Sequence, residues 1–447
     1  MSDRRIRIGA GAGFSGDRIE PAIDLLEHGE LDYLAFECLA ERTIGLAQAA
    51  RQINPDGGYD PLLDARLRAA LPVARRNGVR LISNMGAANP LAAARATTRI
   101  ARELGLTGYR TAAVLGDDVL DLIMARDFPL IDREGTSRDL GSSVVSANAY
   151  LGVAGIVEAL SLGADCVLTG RVCDPALFLA PLVHAFGWLP DDWDRLGQGT
   201  AIGHLLECAG QLCGGYFADP GVKDVPDLAR LGFPYADVAA DGSAVFGKLE
   251  SAGGLINAAT CKEQLLYEIL DPAAYLQADV VADFTGISIA EPAPDQVKVS
   301  GATGRQRPDT LKVSICYEDG FIGEGQISYA GPGAAERGQL ATAIVRERLR
   351  MKGMDTSQVQ FDLIGIDAVD RREACPAHHP REVRVRIAGR SDTQDGAEAI
   401  GAEVEALYTN GPMGGGGVSR ATRKVLAVAS TLIDRNLADP RVKIEVA

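Results

Sequence analysis

This 447-residue chain has no long apolar run, and that excludes a spanning helix. Even the stretch Tyr150–Leu168 carries Glu158 and Asp165, short of the roughly 18 uninterrupted apolar residues such a helix needs. Positive charge is also scarce: 45 Lys and Arg stand against 60 Asp and Glu, a net charge of −15. With a pI near 4.9 the field repels phosphate backbones and anionic headgroups, so neither nucleic acid nor a membrane surface is expected as a partner. The eight cysteines include no Cys-x-x-Cys pair, and a chain of this size needs no covalent staples. They read as small buried thiols of a reducing compartment, without disulfides. No Walker A loop, Gly-x-Ser-x-Gly elbow, kinase motif set or recognised zinc spacing occurs, so no resident metal is expected. Met1–Arg5 leads directly into the strand-like Ile6–Ile8 without a signal-peptide core, and a cytoplasmic location is the expectation.

What is present is an ordinary globular balance, 47% apolar and 23% charged residues, over about three typical domain lengths. Short apolar runs of strand length alternate with helix-period runs. Ile6–Ile8, Leu31–Phe36, Val79–Ser83, Tyr109–Leu115 and Cys166–Thr169 are strand candidates, and Ile19–His28, Leu91–Leu104 and Ile156–Leu162 are helical. Asn89-Pro90 has the form of an N-cap followed by proline at the first helical position. This rhythm predicts an α/β fold with a mainly parallel sheet and helices on both faces, doubly wound or barrel-like. The proline-rich acidic stretch Glu291–Asp295 predicts a boundary, giving an α/β domain over 1–290 and a smaller α+β domain over 291–447. In the latter, Val383, Val385 and Ile387 alternate with Arg384 and Arg386, the pattern of a half-buried antiparallel strand.

Ligands of parallel sheets bind at the carboxyl ends of the strands, so four loops attract attention. The loop Gly9–Gly16, with Gly11 and Gly13 at its centre, precedes a helix whose Asp17 and Glu20 have capping-box spacing. Its amides suit a phosphate or carboxylate, and Glu37 about 20 residues on matches the ribose-binding acid of a dinucleotide site. A tight packing turn explains the glycines equally well. The second loop, Glu37–Thr43, offers Glu37 as a proton carrier, whereas Glu41 reads as a carboxylate at a helix start with Arg42 in solvent. In the third, Thr169–Pro175, Asp174 has the position of an N-cap. Arg171 suits a substrate carboxylate or a salt bridge to Asp174 or Glu37. Asn84, Asn148 and Tyr150 are uncharged groups able to orient a carbonyl or hydroxyl. The fourth loop, Asn410–Gly417, has four consecutive glycines, Gly414, Gly415, Gly416 and Gly417. They precede a predicted helix opening near Ser419-Arg420, with Arg423 and Lys424 beyond, an arrangement that would cradle an anion. His204 and Glu207, three apart on a probable helix turn, and the group Cys375, His378 and His379 read as core or loop residues.

Taken together, the blocks Phe36–Thr43, Asn84–Pro90, Asn148–Gly152, Thr169–Asp174, Gly203–Cys208, Glu263–Glu268, Gly325–Pro332 and Asn410–Gly417 resemble the acyclic terpene utilisation protein A (AtuA-like) family over nearly the whole chain. The resemblance implies a catabolic role near the breakdown of branched or terpenoid acids through CoA thioesters. It also implies that a separate small partner protein supplies a C-terminal domain carried by some relatives; a homo-oligomer is a further expectation. The leading expectation is a lyase, a hydratase or dehydratase acting on a carboxylic acid or its CoA thioester, with no firmly implied cofactor. Glu37, Arg171 and Asp174 form its catalytic set. Gly11, Gly13, Asn84, Asn148, Tyr150, Asn410 and Gly414–Gly417 bind the substrate. The rivals are a nucleotide- or dinucleotide-dependent enzyme using Gly9–Gly16 and a non-catalytic subunit of an acyl-CoA-processing complex.

Overall fold

The computed structural model describes residues 4–370 and 380–447. The chain runs β1 (Arg5–Ala12), α1 (Glu20–His28), β2 (Tyr33–Phe36), α2 (Glu41–Ile53), α3 (Leu63–Asn77), β3 (Arg80–Ser83), α4 (Pro90–Glu103) and β4 (Arg110–Leu115). It continues through α5 (Leu120–Ala125), β5 (Val144–Ala149), α6 (Ala154–Ser161), β6 (Cys166–Thr169), α7 (Ala176–Phe186), α8 (Trp193–Glu207), β7 (Tyr235–Ala239), β8 (Ala244–Gly247) and α9 (Ala258–Leu266). Six strands follow: β9 (Tyr275–Leu276), β10 (Val281–Asp283), β11 (Ser288–Ala293), β12 (Gln296–Ser300), β13 (Thr303–Arg305) and the long β14 (Thr310–Ala330). The remainder is α10 (Ala334–Met351), β15 (Val359–Ile364), β16 (Glu382–Ser391), α11 (Gln394–Glu405), α12 (Leu407–Asn410), β17 (Gly416–Asp434) and β18 (Arg441–Val446). Two compact units result, Met1–Cys316 with Val428–Ala447, and Tyr317–Ala427.

The first unit is built on a ten-stranded mixed sheet in the order β11-β12-β8-β7-β1-β2-β3-β6-β4-β18. Its centre, β1-β2-β3-β6-β4, is parallel throughout. Antiparallel strands extend both sides, β7 beside β1 and β18 beside β4. The central strands are short apolar runs because they are buried along their length: Tyr33–Phe36 and Cys166–Thr169 have no exposed residue. Asn89 Oδ1 accepts the Ala92 N–H at 3.3 Å and Pro90 opens α4, so this helix begins where its cap and proline dictate. Among the described residues seven cysteines are free thiols and no helix is long and apolar enough to cross a membrane.

Residue 290 lies within this unit. Glu291, Pro292 and Ala293 belong to β11, the end strand of the sheet, where missing N–H donors are tolerated, and Asp295 takes the left-handed turn position (φ 54°) leading into β12. The prolines therefore mark an edge hairpin; the chain passes between the units within β14 and again within β17.

The second unit pairs β15-β16-β14-β17. Val383, Val385 and Ile387 pack with Ile327, with Val345 of α10 and with Val404 of α11, whereas Arg384 and Arg386 on the other face bond Gln326, Ser328, Glu324 and Asp362. At Gly325 a Cβ would fall 2.6 Å from Val404 Cβ, so the absence of a side chain lets α11 approach the strand. Ser419 and its neighbours lie in β17, a strand of 19 residues, and not in the expected helix. The charged run Arg420–Lys424 hides the period-two pattern that becomes visible only at the buried Ala429, Thr431 and Ile433.

Candidate functional site

The parallel strands β1, β2, β3, β6 and β4 end at Ala12, Phe36, Ser83, Thr169 and Leu115, and the residues just beyond them converge. Glu37, following β2, is only 9% exposed; its Oε1 accepts the Asn84 side-chain N–H at 2.8 Å and the Leu39 N–H at 2.9 Å. Asn84, following β3, in turn accepts the Cys38 N–H at 2.7 Å. Burial pushes Glu37 above the usual carboxylate range, against the opposing pull of Arg171, Asn84 and the Leu39 amide.

Arg171, following β6, is 1% exposed and is the hub of the group. Its Nε donates to the Val172 carbonyl at 2.9 Å, and its terminal nitrogens donate to the Leu39 carbonyl and the Asp174 carboxylate. The guanidinium lies over the Tyr150 ring, 4.4 Å from its centroid. Tyr150 donates its hydroxyl to Glu41, which also faces Lys312 at 3.4 Å, and Ser314 donates to the Tyr150 oxygen at 3.3 Å. Although burial works against ionisation, the Tyr150 hydroxyl, Arg171 and Lys312 hold Glu41 down at about 2. Glu41 opens α2 as expected of a first-turn carboxylate, and Arg42 is exposed, but Glu41 is also tied to residues 109 and 271 positions away. Asp174 does not cap a helix: α7 starts at Ala176 after Pro175, and the Asp174 carboxylate turns to Arg171. The Asp174 side chain remains 38% exposed beside Arg171.

Behind these groups lies Asp117, two residues beyond β4. Its Oδ2 accepts the Arg171 backbone N–H and the Asn148 amide, both at 2.9 Å. A Cβ on Gly170 would sit 2.4 Å from that oxygen, so glycine there is what lets the carboxylate in. Burial raises Asp117 to about 6.

Two neighbouring cavities share Glu41 and Asp174 in their walls. The larger, about 530 Å³, also has Gly13, Glu37, Glu207 and Cys208 in its wall, and the smaller, about 340 Å³, has Tyr150, Cys173, Tyr275 and Lys312. Of the residues expected from sequence, Glu37, Asp174, Tyr150 and Gly13 thus face open space. Asn84, Asn148 and Arg171 are buried behind them and hold them in place. Gly11 lies inside β1, where a Cβ would meet the Phe36 ring at 2.7 Å. The Gly13 N–H already donates to Asp17 at 2.9 Å, and α1 starts at Glu20 without a side-chain cap, so Asp17 closes the glycine loop and forms no capping box. Arg66 fastens the same loop through the carbonyls of Ser15 (2.7 Å) and Asp17 (3.0 Å).

Asn410 and Gly414–Gly417 belong to the second unit. Asn410 ends α12 and donates to the Thr409 hydroxyl at 2.9 Å; the Gly417 carbonyl accepts from Arg384 at 3.1 Å. Because β17 follows, the glycines lead into a paired strand and not to the positive end of a helix. Arg420 lies 3.3 Å from Glu405 and Lys424 2.8 Å from Glu318, so both cations are already partnered.

Sequence reasoning left out Asp117, Lys312 and Ser314, whose roles arise only when distant strands meet. It also set His204 and Glu207 in the core. They are buried, with His204 Nδ1 2.7 Å from Glu207 Oε1, yet Glu207 reaches the larger cavity. The residues Cys375, His378 and His379 lie outside the described residues; among the described residues no group of three or more His, Cys, Asp or Glu is disposed to hold a metal ion.

Comparison with protein families matches residues 6–444 to the acyclic terpene utilisation family protein AtuA. The chain belongs to that family. Membership gives it a role in acyclic terpene utilisation and extends over both units, so the acidic cleft and the glycine turn alike fall within the matched residues. No curated protein and no solved structure matches this AtuA-family chain.

Proposed function

We propose that this AtuA-family protein is a hydro-lyase that adds or removes water at an acyl group presented as a thioester. The observation that carries the reading is the split between two carboxylates on one cavity wall: Glu37, raised by burial, and Glu41, held at about 2 by Tyr150, Arg171 and Lys312. Environments that push neighbouring carboxyls apart keep one able to hold a proton beside one that stays ionised. Glu37 handles the proton at the reacting carbon or oxygen, and Tyr150, its hydroxyl donated to Glu41, holds that carboxylate in place. Arg171 acts as the positioning residue of Asp174 and Tyr150, its donors being directed to protein acceptors.

The wall sets the carboxyls of Glu37, Glu41, Asp174 and Glu207 against Arg18, a balance that disfavours a free carboxylate at the reacting end and favours the CoA thioester over the free acid. The nucleotide-dependent alternative is not favoured, because Asp17 already occupies the Gly13 amide a phosphate would need. A non-catalytic subunit has no use for a buried proton-carrying carboxyl beside open space.

The test is turnover of α,β-unsaturated and β-hydroxy acyl-CoA esters against the corresponding free acids. Turnover of the ester is expected at least tenfold above the acid, and Glu37→Gln should lower kcat by about 10²- to 10⁴-fold. Full activity in Glu37→Gln, or hydration of neither class, sinks the proposal.

A further inference from the structure

We propose that Glu207 is a second proton-handling group of the cleft, and that His204 is the residue that positions it. The inference rests on the hydro-lyase reading and adds to it the partner of Glu37. Both side chains come from one turn at the end of α8, three residues apart and therefore on one face. Their contact, Nδ1 to Oε1 at 2.7 Å, requires a proton between the two atoms.

The remaining polar atoms carry the argument. Glu207 is 8% exposed and lines the 530 Å³ cavity, and its Oε2 has no protein partner among the described residues; nor does His204 Nε2. The His204 ring is packed against Tyr275 (5.4 Å between centroids) and Phe284 (6.0 Å), and it is 1% exposed. A bare N–H at Nε2 in that setting is costly, so the tautomer with its proton on Nδ1 is the favoured one. That form fixes Glu207 by donating to Oε1 and leaves Oε2, on a side chain that lines the cavity, as the carboxylate oxygen without a protein donor. The groups around Glu207 are Glu37, Asp174, Cys208, Tyr275 and Glu268, and its charge raises the first four.

Water elimination needs two such groups. The Cα–H bond breaks and its proton passes to the Glu207 carboxylate, while its electron pair forms the Cα–Cβ double bond. The Cβ–O bond breaks, and the hydroxyl leaves as water with the proton held by Glu37. The carboxyls exchange protonation states, no redox partner is needed, and hydration is the reverse.

The first test needs no substrate. The chain has five histidines, and ¹⁵N-histidine labelling of the full protein resolves the tautomer of His204 at neutral pH. The Nδ1–H form, kept in Glu207→Gln and lost in Glu207→Leu, is expected; an Nε2–H form or an imidazolium in the parent overturns the proposal. The second test is kinetic. Glu207→Gln should lower kcat at least 100-fold with KM within about threefold. His204→Leu should do the same, whereas His204→Asn, whose amide can still donate to Glu207, should stay within tenfold of the parent. Full turnover in Glu207→Gln with Glu37→Gln inactive overturns the Glu207 assignment and leaves the hydro-lyase reading standing; full turnover in both removes that reading as well.

Discussion

At the strand ends of the first unit Arg171 is out of solvent and directs each guanidinium nitrogen at Asp174, Leu39 or Val172, whereas on β17 of the second unit Arg420 and Lys424 are half-exposed and each meets one carboxylate. The glycines differ in the same way. A Cβ on Gly13 would stand 2.6 Å from the Cys208 carbonyl carbon, and a Cβ on Gly416 would meet nothing within 4 Å. Equal richness in glycine and charge thus has two physical meanings. Where charges are taken out of water their partners become obligatory; where they stay at the surface they are screened and exchangeable.

The largest effect should come from removing the hub. Arg171→Met keeps much of the apolar volume but leaves the carbonyl of Leu39 and the carboxylate of Asp174 without their donor. A buried acceptor left without its donor costs about 1–3 kcal/mol, and the 38% exposed Asp174 adds little to that, so the denaturant midpoint should fall clearly with an unchanged slope. A loss no greater than that of a surface substitution would erase the contrast between the two regions.

The next effect depends on pH. Burial raises Asp117 to about 6, so between pH 4 and 6 the folded chain holds a proton that the unfolded chain has released. This contribution is most favourable below the unfolded value, declines as pH rises through the folded one, and is then constant, a change of about 3 kcal/mol. The stability of Asp117→Asn relative to the parent should therefore increase from pH 4 to 6 and level off. Glu41 has the opposite sign: its contribution is present above its unfolded value and is lost as pH falls towards 2. Glu41→Gln should differ from the parent above pH 5 and converge with it in acid.

The parallel core was legible because it needs uninterrupted apolar strands, and those at Tyr33–Phe36 and Cys166–Thr169 can be nothing else once the helices between them are seen. Glu37 and Arg171 were legible as charges with no surface reason to follow such strands. What could not be read was which partner each would find. Tyr150 and Lys312 reach Glu41 across 109 and 271 positions, and local sequence carries no trace of that meeting. Asp174 and Asp17 misled because acids just ahead of a helix usually cap it, and here a nearby arginine and a glycine amide compete successfully for them. The glycine run misled in turn, since four glycines before Ser-Arg imitate a helix start, while the pairing that makes β17 a strand comes from β14, some hundred positions earlier.

The last comparison is the smallest in energy and the most direct test of the glycine turn. Gly13→Ala forces the Cys208 backbone to shift and should cost about 1–3 kcal/mol. Gly416→Ala meets open space at a backbone angle outside the left-handed region and should stay within about 0.5 kcal/mol of the parent. Lys424→Ala, which removes one exposed contact to Glu318, should stay within about 1 kcal/mol. Thermal unfolding of the three variants ranks them, and acyl-CoA turnover gives a second reading. If Gly416→Ala or Lys424→Ala keeps its stability but raises KM for the thioester tenfold or more, the turn is binding an anionic group after all. The glycines would then be there for a ligand's approach, and the distinction between buried, obligatory charge and exposed, exchangeable charge would hold for stability alone.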